Sequence, residues 1–356
     1  MSEPDGTSPG TLKRVVGIAG ASVGVLAAGA AAGIFAERKL VARRRAAAAQ
    51  PFGSVRGERR TVVADDMLEL YAEVDPVDSG RDDLTVVFVH GYALNLDCWH
   101  FQRLATRGEH RMVFYDQRSH GRSARSRPEH CTFEQLGRDL VCVVEQLVPD
   151  GPVILVGHSM GGMTIMALAE EHPEWFGDKV AGVGLISTSA GGLRALSLGL
   201  PGLPGRLLQQ VSPALMATMA RAPQLVERGR RVGSDIGFVV TRRLAFGTPV
   251  PQEYVDFTDE MLAATPVDVV ADFFPGFDTH DRYAALDIIG GVPTVVIAGG
   301  RDHITSIEHT RRMVEHMPAA ELVELHQAGH MVLLECHDEV TKALRRLVER
   351  AVASRA

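Results

Sequence analysis

The stretch that most constrains this chain is Pro152 to Gly162, reading PVILVGHSMGG. Val153 to Val156 is a short β-branched run with the character of a buried parallel strand. It ends in Gly157-His158-Ser159-Met160-Gly161, a G-x-S-x-G pentapeptide. From Met163 the spacing turns helical, with Met163, Met166, Ala167 and Glu170 in register. A strand that reverses into a helix within a few residues leaves no room for Cβ atoms at 157 and 161, which explains the two glycines. Ser159 is then held at the tip, at a helix N-terminus whose dipole favours developing negative charge, with the Met160 amide close by as an oxyanion donor. An incidental serine in a glycine-rich turn would give the same short pattern, so the partners decide.

A serine hydroxyl is a poor nucleophile near neutral pH and needs a base, and the base needs an orienting group. Thr294 to Ala298 is a second buried-strand run that opens into Gly299-Gly300-Arg301-Asp302-His303, delivering Asp302 just past a strand end. Glu321 to Leu325 is strand-like and leads into Gln327-Ala328-Gly329-His330. His303 and His326 rival His330 as base. His330 is preferred because it follows a strand in a glycine-containing loop, whereas His326 sits at the strand end itself. Asp278, Asp281 and Asp287 rival Asp302, but they precede the strand. The chain order is therefore serine, acid, histidine, the order of α/β-hydrolases.

On these residues the chain resembles an α/β-hydrolase of the lipase/esterase kind, similar to monoacylglycerol-lipase-like bacterial esterases, from about Thr61 to the C-terminus. His90-Gly91-Tyr92, after the strand Val86 to Val89, is similar to the family's HG oxyanion loop, which implies the Tyr92 amide as second donor beside Met160. Asp116 to Ser123 (DQRSHGRS) is similar to the family's D-x-R-G-H-G-x-S loop, with Ser119 where a glycine is usual. The resemblance implies catalysis by Ser159, Asp302 and His330. It also implies that the residues between Ser187 and Gly291, which break the strand–helix alternation, form a helical cap over the serine.

The expected fold is a doubly wound, mostly parallel α/β sheet with that cap. Strands are expected at Thr61 to Val63 and Leu68 to Val74, an antiparallel pair turning through Ala64-Asp65-Asp66. Further strands are expected at Val86 to Val89, Met112 to Tyr115, Val153 to Val156, Val183 to Ile186, Thr294 to Ala298 and Leu322 to Leu325, with helices such as Phe133 to Leu147 between them. The chain divides into an acidic, Ser/Pro/Gly-containing tail (1–14), an apolar segment (15–36), a basic linker (37–60), a hydrolase core (61–188 and 291–356) and the cap (189–290). Leu196, Leu198, Leu200, Leu203, Leu207, Leu208, Leu215, Met216 and Met219, with Phe273, Phe274 and Phe277, make the cap apolar. Taken together they point to a small-molecule ester substrate with an apolar acyl or alkyl part.

Val15 to Ala36 runs 22 residues without a charge, long enough at ~1.5 Å per residue to cross a bilayer. Arg38, Lys39 and Arg43 to Arg45 lie before the small-residue stretch Ala46 to Ala49, which argues against a cleaved signal peptide. The expectation is therefore a transmembrane helix contacting membrane lipid. The positive charges after it would place the catalytic domain on the cytoplasmic side of the cell membrane. Residues 1–60 hold ten Lys/Arg against four acids, +6, which leaves −13 on the rest of a chain whose net charge is −7. That acidic body excludes nucleic acid as a partner.

Cys98, Cys131, Cys142 and Cys336 have neither metal-ligand nor disulfide-framework spacing, and the fourteen histidines show no metal motif. No cofactor or metal enters the expected chemistry. Thioester hydrolysis, carbon–carbon bond hydrolysis and cofactor-free perhydrolysis could use the same residues, and a non-catalytic, membrane-tethered binding protein is the alternative from another class.

Overall fold

The computed structural model describes residues 50–78, 84–193 and 241–355. The body, Phe52–Ala356, is built on an eight-stranded sheet in the order β1-β2-β4-β3-β5-β6-β7-β8. The strands are β1 (Glu58–Val63), β2 (Glu69–Asp75), β3 (Thr85–Val89), β4 (Arg111–Tyr115), β5 (Val153–His158), β6 (Val180–Ile186), β7 (Thr294–Gly299) and β8 (Glu321–Leu325). β1 and β2 pair antiparallel, β2 joins β4 antiparallel, and every other pairing is parallel.

The central strands read as unbroken apolar runs because both faces are covered. Val86, Phe88, Ile154 and Val156 point into one core with Leu344 and Leu347. Val87, Val89, Val153 and Leu155 point into the other with Leu140, Val144 and Ile165. The helices of the described residues are α1 (His100–Thr106), α2 (Phe133–Leu147), α3 (Met160–Glu171), α4 (Gln252–Ala264), α5 (Val267–Thr279), α6 (Tyr283–Ile289), α7 (Ile307–Glu315), α8 (Val332–Glu335) and α9 (His337–Ala353). All but α5, whose Val269, Phe273 and Phe277 form a third cluster with Met160 and Met163, contribute to these two cores. The start of α2 follows from its sequence: Thr132 caps it by accepting from the Gln135 amide at 3.2 Å.

β1 begins at Glu58, ahead of the apolar signal at Thr61. Glu58, Arg59 and Arg60 are exposed on an edge strand, where charge guards against unwanted pairing and leaves no hydrophobic trace. α4, α5 and α6 lie between β6 and β7, where the cap was expected. α6 packs with the body, since Ala285, Leu286 and Ile289 join the second core. The Leu- and Met-rich residues from Leu196 to Met219 lie outside the described residues.

The expectation of an N-terminal membrane helix is corrected. Among the described residues no helix is long and apolar enough to cross a membrane. The longest of these helices, α9, has 17 residues and carries charged side chains along its length, against the ~20 apolar residues a span needs. Residues 15–36 lie outside the described residues. The length and lack of charge of that segment and its basic flank were the whole case, so the membrane helix, the lipid partner and the single-pass, cytoplasmic-side placement in the cell membrane are withdrawn.

Candidate active site

β5 ends at His158 and α3 begins at Met160, so the chain reverses at Ser159 alone. That residue sits at φ 52°, ψ −118°, a strained conformation that must be held by its surroundings. The Ser159 amide donates to Ile186 O at 2.9 Å, and its carbonyl accepts from the Thr188 hydroxyl at 2.7 Å. The crowding read from the sequence is present: a Cβ on Gly161 would lie 2.1 Å from Val89 O, and one on Gly157 2.5 Å from the Gly161 backbone. Met160, buried, is the first residue of α3, and its amide is among those a helix leaves without an intrahelical acceptor.

His330 follows β8 and faces back toward β7. Its Nδ1 lies 2.8 Å from Asp302 Oδ2. The Asp302 carboxylate also accepts from the Ile304 and Thr305 amides at 2.8 and 2.9 Å on Oδ1, and from Thr305 Oγ1 at 2.8 Å on Oδ2. Burial alone would raise this carboxyl; the His330 ring and the donors around it outweigh burial and hold it below the usual value.

The loop after β3 is fixed by a hydrogen-bonded chain. The His90 Nδ1–H donates to Gly91 O at 2.8 Å, Nε2 accepts from the Gln117 amide at 2.9 Å, and the Gln117 side chain donates to His90 O and accepts from Thr164. Burial, with a smaller contribution from His120, holds His90 neutral, its pKa down at about 3. Beside it, Ser119 occupies the left-handed region at φ 65°, where glycine is usual. Its Oγ compensates by accepting from the Ser126 amide at 2.9 Å.

Tyr92, Ser159 and His330 line one cavity of about 270 Å³. Asp302 stands behind His330, and Met160 lies next to Ser159 without appearing in the cavity wall. No hydrogen bond joins Ser159 to His330 among the described residues; such contacts often tighten only around substrate. The rest of the wall is mostly apolar, with Leu94, Met163, Leu262, Val270, Phe274 and Phe277 prominent beside Thr241 and Thr258, and it contains no acidic or Lys/Arg side chain among the described residues. The rivals weighed from sequence, His303, His326, Asp278, Asp281 and Asp287, are exposed and outside this wall. His158 is buried, its Nε2 at 3.1 Å from His330 O, and burial with the nearby His330 ring keeps its pKa down at about 3. Sequence reasoning missed Thr305 and the His90–Gln117–Thr164 chain. The Asp302-x-x-Thr305 spacing, which suits a side-chain-capped turn, was the available signal for the first.

The sequence profile of the alpha/beta hydrolase fold family matches residues 85–335, so the chain belongs to that family. The resemblance drawn from the motifs is borne out. Among curated proteins it is similar to the dihydrolipoyllysine-residue acetyltransferase component of the acetoin cleaving system of Pseudomonas putida. The two are 27% identical over 265 residues, 74% of this chain and 63% of that protein, so the chain spans less than two thirds of that relative. Among solved structures, an esterase from Thermogutta terrifontis superposes with a TM-score of 0.62 at 24% identity, covering 83% of this chain and 99% of that one. An esterase from Exiguobacterium antarcticum gives 0.64 at 19%, covering 81% and 98%. At these identities the structural likeness establishes the fold.

Proposed function

We propose that the protein is a serine hydrolase acting on carboxylic esters with an apolar acyl or alkyl part. The observation that carries this reading is His330, paired through Nδ1 with Asp302, which lines the same largely apolar cavity as a serine held at φ 52°. The esterase names among its structural relatives agree with it.

His330, oriented by Asp302, takes the Ser159 proton as Oγ attacks the ester carbonyl. The resulting oxyanion is met by the Met160 and Tyr92 amides, where loss of one donor costs about 3 kcal/mol. As the tetrahedral species collapses, the carbon–oxygen bond to the alcohol breaks and the alcohol leaves with the proton from His330. Water, deprotonated by His330, then attacks the acyl-enzyme, and the acid departs as Ser159 regains its proton. The chemistry calls on no cofactor. Among the described residues the cavity wall supplies no acidic, Lys or Arg side chain for a charged acyl chain to pair with, which favours neutral apolar substrates.

The test is hydrolysis of p-nitrophenyl esters of graded acyl length by the full chain and by Ser159→Ala, together with fluorophosphonate labelling. Turnover and labelling that both vanish in the variant support the reading. Turnover that survives it, or a wild-type protein that neither hydrolyses nor labels, overturns it.

A further inference from the structure

The two residues proposed as oxyanion donors are in contact with the cap. Tyr92 Oη donates to the carbonyl of Val270, in the first half of α5. Thr265, in the short link between α4 and α5, is buried, and its Oγ1 donates to Ala93 O at 3.1 Å. Ala93 itself is held at φ 57°, an unfavourable conformation for a residue with a Cβ. The Tyr92 ring packs against Phe277 of α5, with centroids 5.0 Å apart. Met160, Val269, Phe273 and Phe277 belong to one apolar cluster, with Tyr92 packed against it. On the outer side Arg125 pairs with Asp268 at 2.7 Å, an exposed contact that adds little.

From these contacts we infer that α5 positions the oxyanion hole. Tyr92 (through its side chain) and Thr265 are positioning residues that transmit the seat of the cap to the donor amides. The inference rests on the serine-esterase reading for its catalytic meaning. A backbone donor works only where its N–H meets the place the developing oxyanion will occupy, and an error of a fraction of an ångström weakens it. At its start the loop from Gly91 to Leu94 is tied by His90 Nδ1 to Gly91 O at 2.8 Å and by Leu94 N to the same carbonyl at 3.2 Å, bonds that leave the Tyr92–Ala93 stretch to other contacts. The Tyr92 and Thr265 hydroxyls add two more, both anchored in the cap. Material in the cavity touches α5 through Val270, Phe274 and Phe277. The quality of the oxyanion hole therefore depends on how the cap settles over the acyl group, and the cap acts on kcat as well as on substrate choice.

Three full-length variants test this: Tyr92→Phe, which keeps the ring and removes the hydroxyl, Thr265→Val, which keeps the shape, and Thr265→Ser, which restores the donor. The expected result is a fall in kcat of about tenfold for each of the first two, short of the ~10²–10³ for losing a donor outright. KM should stay within about twofold, and Thr265→Ser should recover most of the loss. The fold-loss should be the same for p-nitrophenyl acetate and octanoate, since an oxyanion defect ignores chain length whereas a reshaped pocket does not.

Hydrogen exchange of the amides of residues 91–94 is the second readout and needs no turnover. Faster exchange in Tyr92→Phe and Thr265→Val, with the rest of the body unchanged, supports the coupling. An unchanged kcat, a loss confined to octanoate, or unaltered exchange in that loop overturns it. Wild-type protein without esterase activity would overturn the serine-esterase reading instead, and the exchange measurement would still decide whether the cap holds the loop.

Discussion

Asp302 and His330, 28 residues apart in the chain, meet through a 2.8 Å contact between Oδ2 and Nδ1, and the same carboxylate is the acceptor for three donors from Ile304 and Thr305. An amide in its place has a single acceptor oxygen, so Asp302→Asn must turn an NH2 toward two of the four donors. His330 is then free to take the wrong tautomer, and kcat on p-nitrophenyl acetate should fall by about 10³–10⁴. The same substitution reports on stability. The Asp302 carboxyl is held below its ordinary value in the folded state, so its contribution is complete above the unfolded pKa of about 4 and is lost as pH falls through the lower, folded one. Urea midpoints from pH 7 down to pH 3 should therefore decline less steeply at the acid end in the variant.

The sheet was legible because its central strands are buried on both faces, so that Val86 to Val89 or Val153 to Val156 stand out as continuous apolar runs. The start of β1 was not, because Glu58 to Arg60 face water and pattern alone gives no sign of pairing. The site was legible wherever its geometry is local: Gly157 and Gly161 are demanded by a reversal five residues long. The contact of Tyr92 with Val270 bridges 178 positions, and no local pattern encodes it. The membrane expectation failed for the opposite reason. It rested on the length, absence of charge and basic flank of one segment, with nothing elsewhere in the chain to support it.

Arg118 is fully buried between Asp139 and Asp66, its guanidinium donating to both Asp139 oxygens at 2.6 Å and to Asp66 at 2.9 and 3.2 Å. Burial raises the Asp139 carboxyl, and the Arg118 contacts oppose that rise without overcoming it. Removing the arginine alone strands a buried charge, so Arg118→Met should cost about 3–5 kcal/mol in urea unfolding. Arg118→Met combined with Asp139→Leu should recover most of it, because no unpaired ion then remains in the interior.

His100 lies in an aromatic cluster, 4.8 Å from the Phe52 ring and 5.3 Å from Phe101, and neither ring nitrogen has a hydrogen-bond partner among the described residues. Burial lowers its pKa to about 4. The unfolded chain therefore takes up a proton below about 6.5 that the folded chain refuses until about 4, and stability drains away as pH falls through that window. His100→Phe should flatten this part of the stability–pH curve. It should also add about 1–2 kcal/mol at pH 7, by replacing two unsatisfied polar atoms with apolar surface. Urea denaturation at half-unit steps from pH 4 to 7.5 measures both effects.

The cavity beside Ser159 sets a last expectation. Its wall is dominated by Leu94, Met163, Leu262, Val270, Phe274 and Phe277, in a volume of about 270 Å³, so each methylene that enters leaves water for largely apolar surface. At about 0.8 kcal/mol per buried CH2, kcat/KM for p-nitrophenyl esters should rise up to about fourfold per added methylene until the space is full, and then level off or fall. Leu262→Trp, which enlarges a side chain of α4 in that wall, should move the optimum to shorter acyl chains without lowering turnover of the acetate ester. A half-ester whose acyl chain ends in a carboxylate should be a poor substrate, by about 10² or more in kcat/KM relative to its methyl-terminated analogue, because the wall has no cationic side chain among the described residues to receive it. Steady-state kinetics across the ester series on both proteins checks the trend, the shift and the charge penalty in one experiment.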